Sequence, residues 1–266
     1  MTLHHEVRGD GPAVLLVHAG IADSRMWAPV AERLVAGGHR VVTCDLRGFG
    51  RTPIEAGFVS NAADLAALLS ALGIERAAVV GASFGGRVAL ELALRAPERV
   101  RALALLDAVL DDFDPSEEFR AFGAAEEAAL ERDDVDAAVA ENVRMWVTRG
   151  DRAVDPAVTD LVATMQRDAF AAQRGVDAEL DELDPPVARR LGAITAPALV
   201  VVGADDVEDF HRIAQRLADE LPGAGPVVTV QDAAHLPALE RPAETARLLL
   251  AFLARTSAST ARCASP

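Results

Sequence analysis

The sequence predicts an α/β fold: a doubly wound, mostly parallel sheet with one helical insertion before its penultimate strand. Three observations carry this. Short, near-continuous apolar runs recur along the chain, as strands buried on both faces require. Helical patterns separate most of them, and strand–helix alternation winds into a parallel sheet. The alternation breaks once, over about 80 residues, which is too long for a crossover loop and implies a separate packed unit.

The elements follow in order. His4-His5-Glu6-Val7-Arg8 reads as an antiparallel edge strand. The turn signal Gly9-Asp10-Gly11-Pro12 then precedes the strand Ala13–Val17. Further strands are expected at Arg40–Cys44, Ala77–Val80, Ala102–Leu106, Ala198–Val202 and Pro226–Val230, with helices near 26–37, 60–73, 85–96, 209–221 and 241–255. Between Asp111 and Arg190 no strand is expected. That segment is rich in Ala, Glu, Asp and Arg, with helical periodicity at 116–131, 134–148 and 156–173. Pro115, Gly150, Asp151, Pro156, Pro185 and Pro186 punctuate it. The expected organisation is a core from 1–110 and 191–256, an all-helical unit at 111–190 and a disordered tail at 257–266.

Composition narrows the chemistry. The chain has 266 residues and 51% hydrophobic content, enough for one sizeable core. It contains no Tyr and no Lys; all 26 basic residues are arginines. A Schiff-base lysine, a phosphate-loop lysine and a tyrosine acid/base are therefore excluded. The net charge of −15 repels phosphate backbones and anionic membranes, so neither nucleic acid nor a membrane is an expected partner. Cys44 and Cys263 make neither a disulfide framework nor a zinc quartet. No signal peptide and no membrane span are read, so a cytoplasmic protein acting on a small molecule is expected.

The strongest local signal is Gly81-Ala82-Ser83-Phe84-Gly85-Gly86, a G-x-S-x-G pattern directly between a strand and a helix. Such a turn exposes the central serine hydroxyl, and the helix behind it favours developing negative charge. A serine needs a base. His235 follows the last strand, where catalytic groups of open α/β sheets gather. A histidine needs an orienting carboxylate. Val202-Gly203-Ala204-Asp205-Asp206 ends the penultimate strand. Asp206 is favoured, with Asp205 as a turn or cap residue and Asp107 as a third choice. Backbone amides of Phe84 and Gly20 are the expected oxyanion donors. His18 is read as a brace of the loop that carries Gly20.

This ordered set resembles the α/β-hydrolase family over residues 3–255. The matching segments are Leu16-Val17-His18-Ala19-Gly20 through Met26-Trp27, Asp45–Arg51, the elbow at Ser83, the Gly203–Asp206 turn, Ala234-His235-Leu236 and Glu240-Arg241-Pro242. The resemblance implies that 111–190 is a helical cap and that a serine–histidine–aspartate set works with no metal and no cofactor. The motif style is similar to 3-oxoadipate enol-lactonases, small carboxylesterases, cofactor-free haloperoxidases and C–C hydrolases. Serine at position 83 removes the branches that need a carboxylate nucleophile. Ala19 departs from the glycine of many members and is expected to narrow the site.

The expected reaction is hydrolysis of a small to medium ester or lactone through an acyl-enzyme on Ser83. The alternatives are C–C bond hydrolysis or a lyase or cyclase step on the same residues, and a slow-turnover ligand sensor. Trp27, Trp146 and Ile21 are the expected substrate contacts. Arg144 and Arg149 flank Trp146 and are candidates to meet a carboxylate. Aromatic residues are only 4% of the chain, which argues against a large aromatic cage. Acidic residues of the expected cap, Glu117, Glu118, Glu126, Glu127, Glu131, Asp133, Asp134 and Asp136, argue against a strongly anionic substrate and lean it towards a neutral or weakly charged one.

Overall fold

The computed structural model describes residues 2–150 and 152–263, with side chains through residue 256. Its strands are β1 His5–Arg8, β2 Ala13–Val17, β3 Arg40–Cys44, β4 Gly57–Val59, β5 Ala77–Ala82, β6 Val100–Leu106, β7 Ala178–Leu180, β8 Ala198–Gly203 and β9 Val228–Val230. Its α-helices are α1 Ala28–Ala36, α2 Asn61–Ala71, α3 Phe84–Arg95, α4 Glu117–Glu131, α5 Val135–Val143, α6 Pro156–Gln173, α7 Glu208–Glu220, α8 Pro237–Glu240 and α9 Pro242–Cys263. A π-helical turn, Arg144–Thr148, continues α5.

Seven strands form one sheet in the order β1-β3-β2-β5-β6-β8-β9. β1 lies antiparallel to β3, and every other pairing in this sheet is parallel. The apolar runs explain this placement. Val14–Val17, Ala77–Ala82, Ala102–Leu106 and Ala198–Gly203 are buried along their length, so β2, β5, β6 and β8 occupy the middle of the sheet. β1, with the exposed Val7, takes an edge. The chain leaves β2 for β3 on one side and later enters β5 on the other. Between these two strands the order reverses, and Val17 pairs with Gly81 there. Such a switch point opens a crevice at the carboxyl ends of the strands, where ligands bind in open α/β sheets.

The segment between β6 and β8 differs from expectation in two places. The helix expected over 134–148 is α5 followed by the π-helical turn, which adds a residue to the turn and re-aims Trp146. A short strand also forms: β7 pairs in parallel with β4, Gly57 opposite Ala178 and Val59 opposite Leu180. Neither segment has a run of β-branched residues, so the pairing of two distant pieces makes them strands. Within this segment α4 packs on α5 and α5 on α6.

The expected tail also differs. α9 continues through Cys263, because residues 257–263 hold no Gly or Pro to stop it. Residues 264–266 lie outside the described residues. Among the described residues no helix is long and apolar enough to cross a membrane.

The central strands carry the stability. Leu16→Ala, at a fully buried site, is expected to cost about 2–5 kcal/mol. Val7→Ala on the exposed edge should stay within about 0.5 kcal/mol. Urea unfolding of both variants checks the difference.

Candidate active site

Ser83 alone joins β5 to α3 and has φ 49° and ψ −116°. For a residue with a Cβ this conformation costs on the order of 1–3 kcal/mol and persists only where neighbours over-determine it. Here they do. Ser83 N–H donates to Leu106 O at 2.9 Å, and Ser83 O accepts from the N–H groups of Gly86 and Val109. The glycines are a steric requirement. A Cβ on Gly81 would lie 2.2 Å from Gly85 O, and one on Gly85 would lie 2.4 Å from the carbonyl oxygens of Val17 and His18.

His235 is buried in the loop after β9. Its Nδ1 lies 2.8 Å from Asp206 Oδ2, and the other oxygen of Asp206 accepts Val207 N–H at 2.7 Å. An ionised Asp206 can only accept, so Nδ1 carries the proton and Nε2 is left with a lone pair. Ser83 and His235 line the same cavity. Asp205 turns away and pairs with Arg152 at 3.0 Å, which separates the roles of the two aspartates.

Arg152 does more than hold Asp205. Its guanidinium also meets Glu240 at 2.6 Å and donates to the carbonyls of Val147 and Asp232. Glu240 in turn accepts the N–H groups of Ala234 and Leu236, on either side of His235. One arginine from the β6–β8 segment thus braces the loop that carries the histidine. A second tie is direct: His235 N–H donates to Trp146 O at 3.3 Å. The rings of Trp146 and Phe210 pack on the imidazole with centroids 4.6 and 4.3 Å away.

Asp107, at the end of β6, is fully buried next to this pair. Its Oδ1 accepts Gly203 N–H at 2.7 Å, and its Oδ2 has no donor among the described residues. Burial, reinforced by the charge of Asp206, pushes its pKa well above the usual carboxylate range. Asp107 is therefore held as the neutral acid of the cluster. Atoms of Asp107, Asp206 and His235 lie within 4.8 Å of one another, a spacing a metal ion could share. The imidazole nitrogen and the Asp206 oxygen are already joined by a proton, which suits proton handling rather than ion ligation.

Gly20 and Phe84 lie side by side: a Cβ on Gly20 would sit 3.4 Å from Phe84 Cβ. Phe84 N–H belongs to the first turn of α3, where helix amides have no acceptor within the helix. His18 donates from Nδ1 to Ala19 O at 2.8 Å and accepts Leu46 N–H at Nε2 at 2.9 Å. Burial pushes its pKa down, so a neutral imidazole braces the Gly20 loop.

The cavity has a volume of about 250 Å³. Gly20, Ile21, Ser83, Val109 and His235 come from the sheet side, and Phe210 from α7. Phe119 and Glu126 with Phe122 come from α4, Asn142 from α5, Trp146 from the π-helical turn and Gln166 from α6.

Several expectations are corrected. Trp27 is fully buried in the core beneath α1 and does not line the cavity. Ala19 is likewise buried outside the lining, so its β-carbon does not narrow the cavity. Arg144 pairs with Glu141, and Arg149 with Glu118 and Asp205 O, so neither reaches the cavity. A compact aromatic wall does form, because Phe119, Phe122, Trp146 and Phe210 converge with centroid spacings of 5.1 to 6.3 Å. The i, i+3 spacing of Phe119 and Phe122, and Phe210 four residues after Asp206, were the available signals for this wall. Nothing in the sequence singled out Val109, Asn142 or Gln166.

The family profile described as alpha/beta hydrolase fold matches residues 12–242. RutD of Variovorax paradoxus, a protein named as a carbamate hydrolase, is 34% identical over 97% of this chain and 98% of its own. A thermophilic esterase from Thermogutta terrifontis superposes with a TM-score of 0.76 at 28% identity, covering 96% of this chain and 93% of that one. Est816, described as an N-acyl homoserine lactone degrading enzyme, superposes with a TM-score of 0.74 at 27% identity, over 94% and 96% of the two chains.

The buried Asp107 has a pH signature. Its native pKa is raised, so the native state holds a proton that the unfolded chain releases above about pH 4. This contribution to stability is full below that pH and is lost as pH rises. Asp107→Asn keeps an acceptor for Gly203 N–H and has no proton to lose. Its stability relative to wild type should therefore climb with pH above about 4. Asp107→Ala orphans the Gly203 amide and should cost about 1–3 kcal/mol at acidic pH as well. Denaturant midpoints across a pH series read both effects.

Proposed function

The chain belongs to the α/β-hydrolase family, and we propose that it is a serine hydrolase cleaving a small to medium ester or lactone. The observation that carries this reading is the His235–Asp206 contact beside the constrained Ser83 on one cavity. The Thermogutta esterase and the lactone-degrading Est816, similar over nearly the whole chain, support an oxygen-ester substrate.

The steps follow from the donors and acceptors. His235 Nε2 takes the Ser83 hydroxyl proton as Oγ bonds to the substrate carbonyl carbon. The carbonyl oxygen becomes an oxyanion, and the N–H groups of Gly20 and Phe84 stabilise it. As the carbon–oxygen bond of the ester breaks, Nε2 returns its proton to the leaving alkoxide. Water then enters, gives a proton to Nε2 and its oxygen to the acyl carbon, and Ser83 regains its proton on release of the acid. Asp206 holds the histidine tautomer throughout and stabilises the imidazolium. The aromatic wall supplies a dry surface, which strengthens each of these electrostatic contacts. The helical segment at 111–190 acts as the cap over this reaction.

Ser83→Ala should lower the rate of ester hydrolysis by about 10⁴–10⁶-fold while leaving the thermal midpoint near or above that of wild type. Asp206→Asn presents an N–H to the imidazole or forces the wrong tautomer, and should cost about 10⁴-fold. Steady-state hydrolysis of a nitrophenyl ester measures both. A Ser83→Ala protein with the wild-type rate would exclude the proposed mechanism.

A further inference from the structure

The reading of the cavity as a substrate site, on which this inference rests, leaves its polar end unexplained. Ser83 and His235 serve the chemistry, and Phe119, Phe122, Trp146 and Phe210 supply apolar walls. Glu126, Asn142 and Gln166 do neither, yet all three line the same cavity. They come from three different helices, so their meeting is built by the fold and not by one helical repeat.

Their hydrogen bonds decide what they offer. The Asn142 amide donates to the Glu126 carboxylate and to Ala138 O, so its two hydrogens are spent. What remains is acceptor capacity. Glu126 keeps a free carboxylate oxygen, since an ionised carboxylate has about four acceptor positions. Gln166 is 5% exposed, and its Oε1 is buried with no hydrogen-bond partner. A buried acceptor without a donor costs about 1–3 kcal/mol, which a ligand donor would offset. Among the described residues no arginine lines the cavity, so Glu126 is its one charged carboxylate without a local cation. His235 presents its Nδ1 to Asp206 and leaves the Glu126 charge uncompensated.

We infer that the cavity selects esters or lactones whose longer arm ends in a hydrogen-bond donor, an amino or hydroxyl group received by Gln166 and Glu126. The charge of Glu126 repels an arm ending in a carboxylate. A protonated amine is favoured over a hydroxyl, because Glu126 adds a charge that only a cation complements.

A matched series of ethyl esters tests this: 6-aminohexanoate, 6-hydroxyhexanoate, heptanoate and hydrogen adipate. The reversed acetates of the corresponding alcohols place the arm on the other side of the bond. In the better series the amino ester should exceed heptanoate in kcat/KM by about tenfold to a hundredfold, and the adipate should be the poorest. Glu126→Gln should shrink the amino preference more than the hydroxyl one. Gln166→Leu should bring both close to heptanoate. Heptanoate or adipate handled as well as the donor-bearing esters in both series overturns the inference, whatever the variants do. If no ester is cleaved and Ser83 takes no phosphonate, the hydrolase reading fails by itself. Calorimetric binding of 6-amino-1-hexanol against 1-heptanol then decides the inference, and equal or weaker binding of the amino alcohol overturns it.

Discussion

The turn between β5 and α3 holds Ser83 at a positive φ that its side chain opposes, and the surrounding structure is arranged to keep it there. Two central strands meet at this point. β6 receives the Ser83 amide through Leu106 O, and the end of β2 presses so close that Gly85 has no room for a Cβ. The same proximity brings Gly20, on the loop after β2, against Phe84, the first residue of α3. The Ser83 hydroxyl and the amides of Gly20 and Phe84 are therefore placed by one packing constraint. Relaxing the turn would move the hydroxyl and separate the donors together.

The histidine is fixed by a different logic. Its loop leaves β9 near the sheet edge, where strand packing is weaker, and polar ties replace it. Asp206 holds the ring, Trp146 O holds the backbone, and the Arg152–Glu240 pair holds the loop on both sides. Two of these ties originate in the segment between β6 and β8. That segment therefore forms part of the frame of the cavity as well as lining it. Its π-helical turn has a purpose in that frame: the extra residue presents Trp146 O and the Trp146 ring to His235 together. The neutral Asp107 completes the arrangement from the sheet side, satisfying Gly203 N–H without adding a second negative charge beside Asp206.

Much of this was legible in the residues because it is local. The elbow at Ser83 is a strand, a turn and a helix in nineteen consecutive positions, and its glycines have a steric reason that composition cannot hide. Asp206 and His235 sit at strand ends, where open sheets place their chemistry. What was not legible depends on convergence. Phe119, Phe122, Trp146 and Phe210 amount to four residues in an aromatic-poor chain, and their low number suggested no wall; three helical elements bring them together. Trp27, adjacent in sequence to the Gly20 loop, points into the core because the 3₁₀ turn at Ser24–Trp27 rotates it inward. β4 and β7 are strands only through each other. At the polar end of the cavity Glu126 was visible only as one acidic residue among many, and Asn142 and Gln166 have no signature along the chain.

The central claim is that this geometry activates one serine among the eight in the sequence. A fluorophosphonate reacts with a serine whose proton a neighbouring base removes and whose oxyanion is stabilised. Labelling the folded protein, digesting it and mapping the adduct by mass spectrometry tests the claim most directly. The account predicts a single stoichiometric adduct on Ser83, abolished when the protein is unfolded before labelling. An unlabelled Ser83, or an adduct on any other serine at comparable yield, would contradict it.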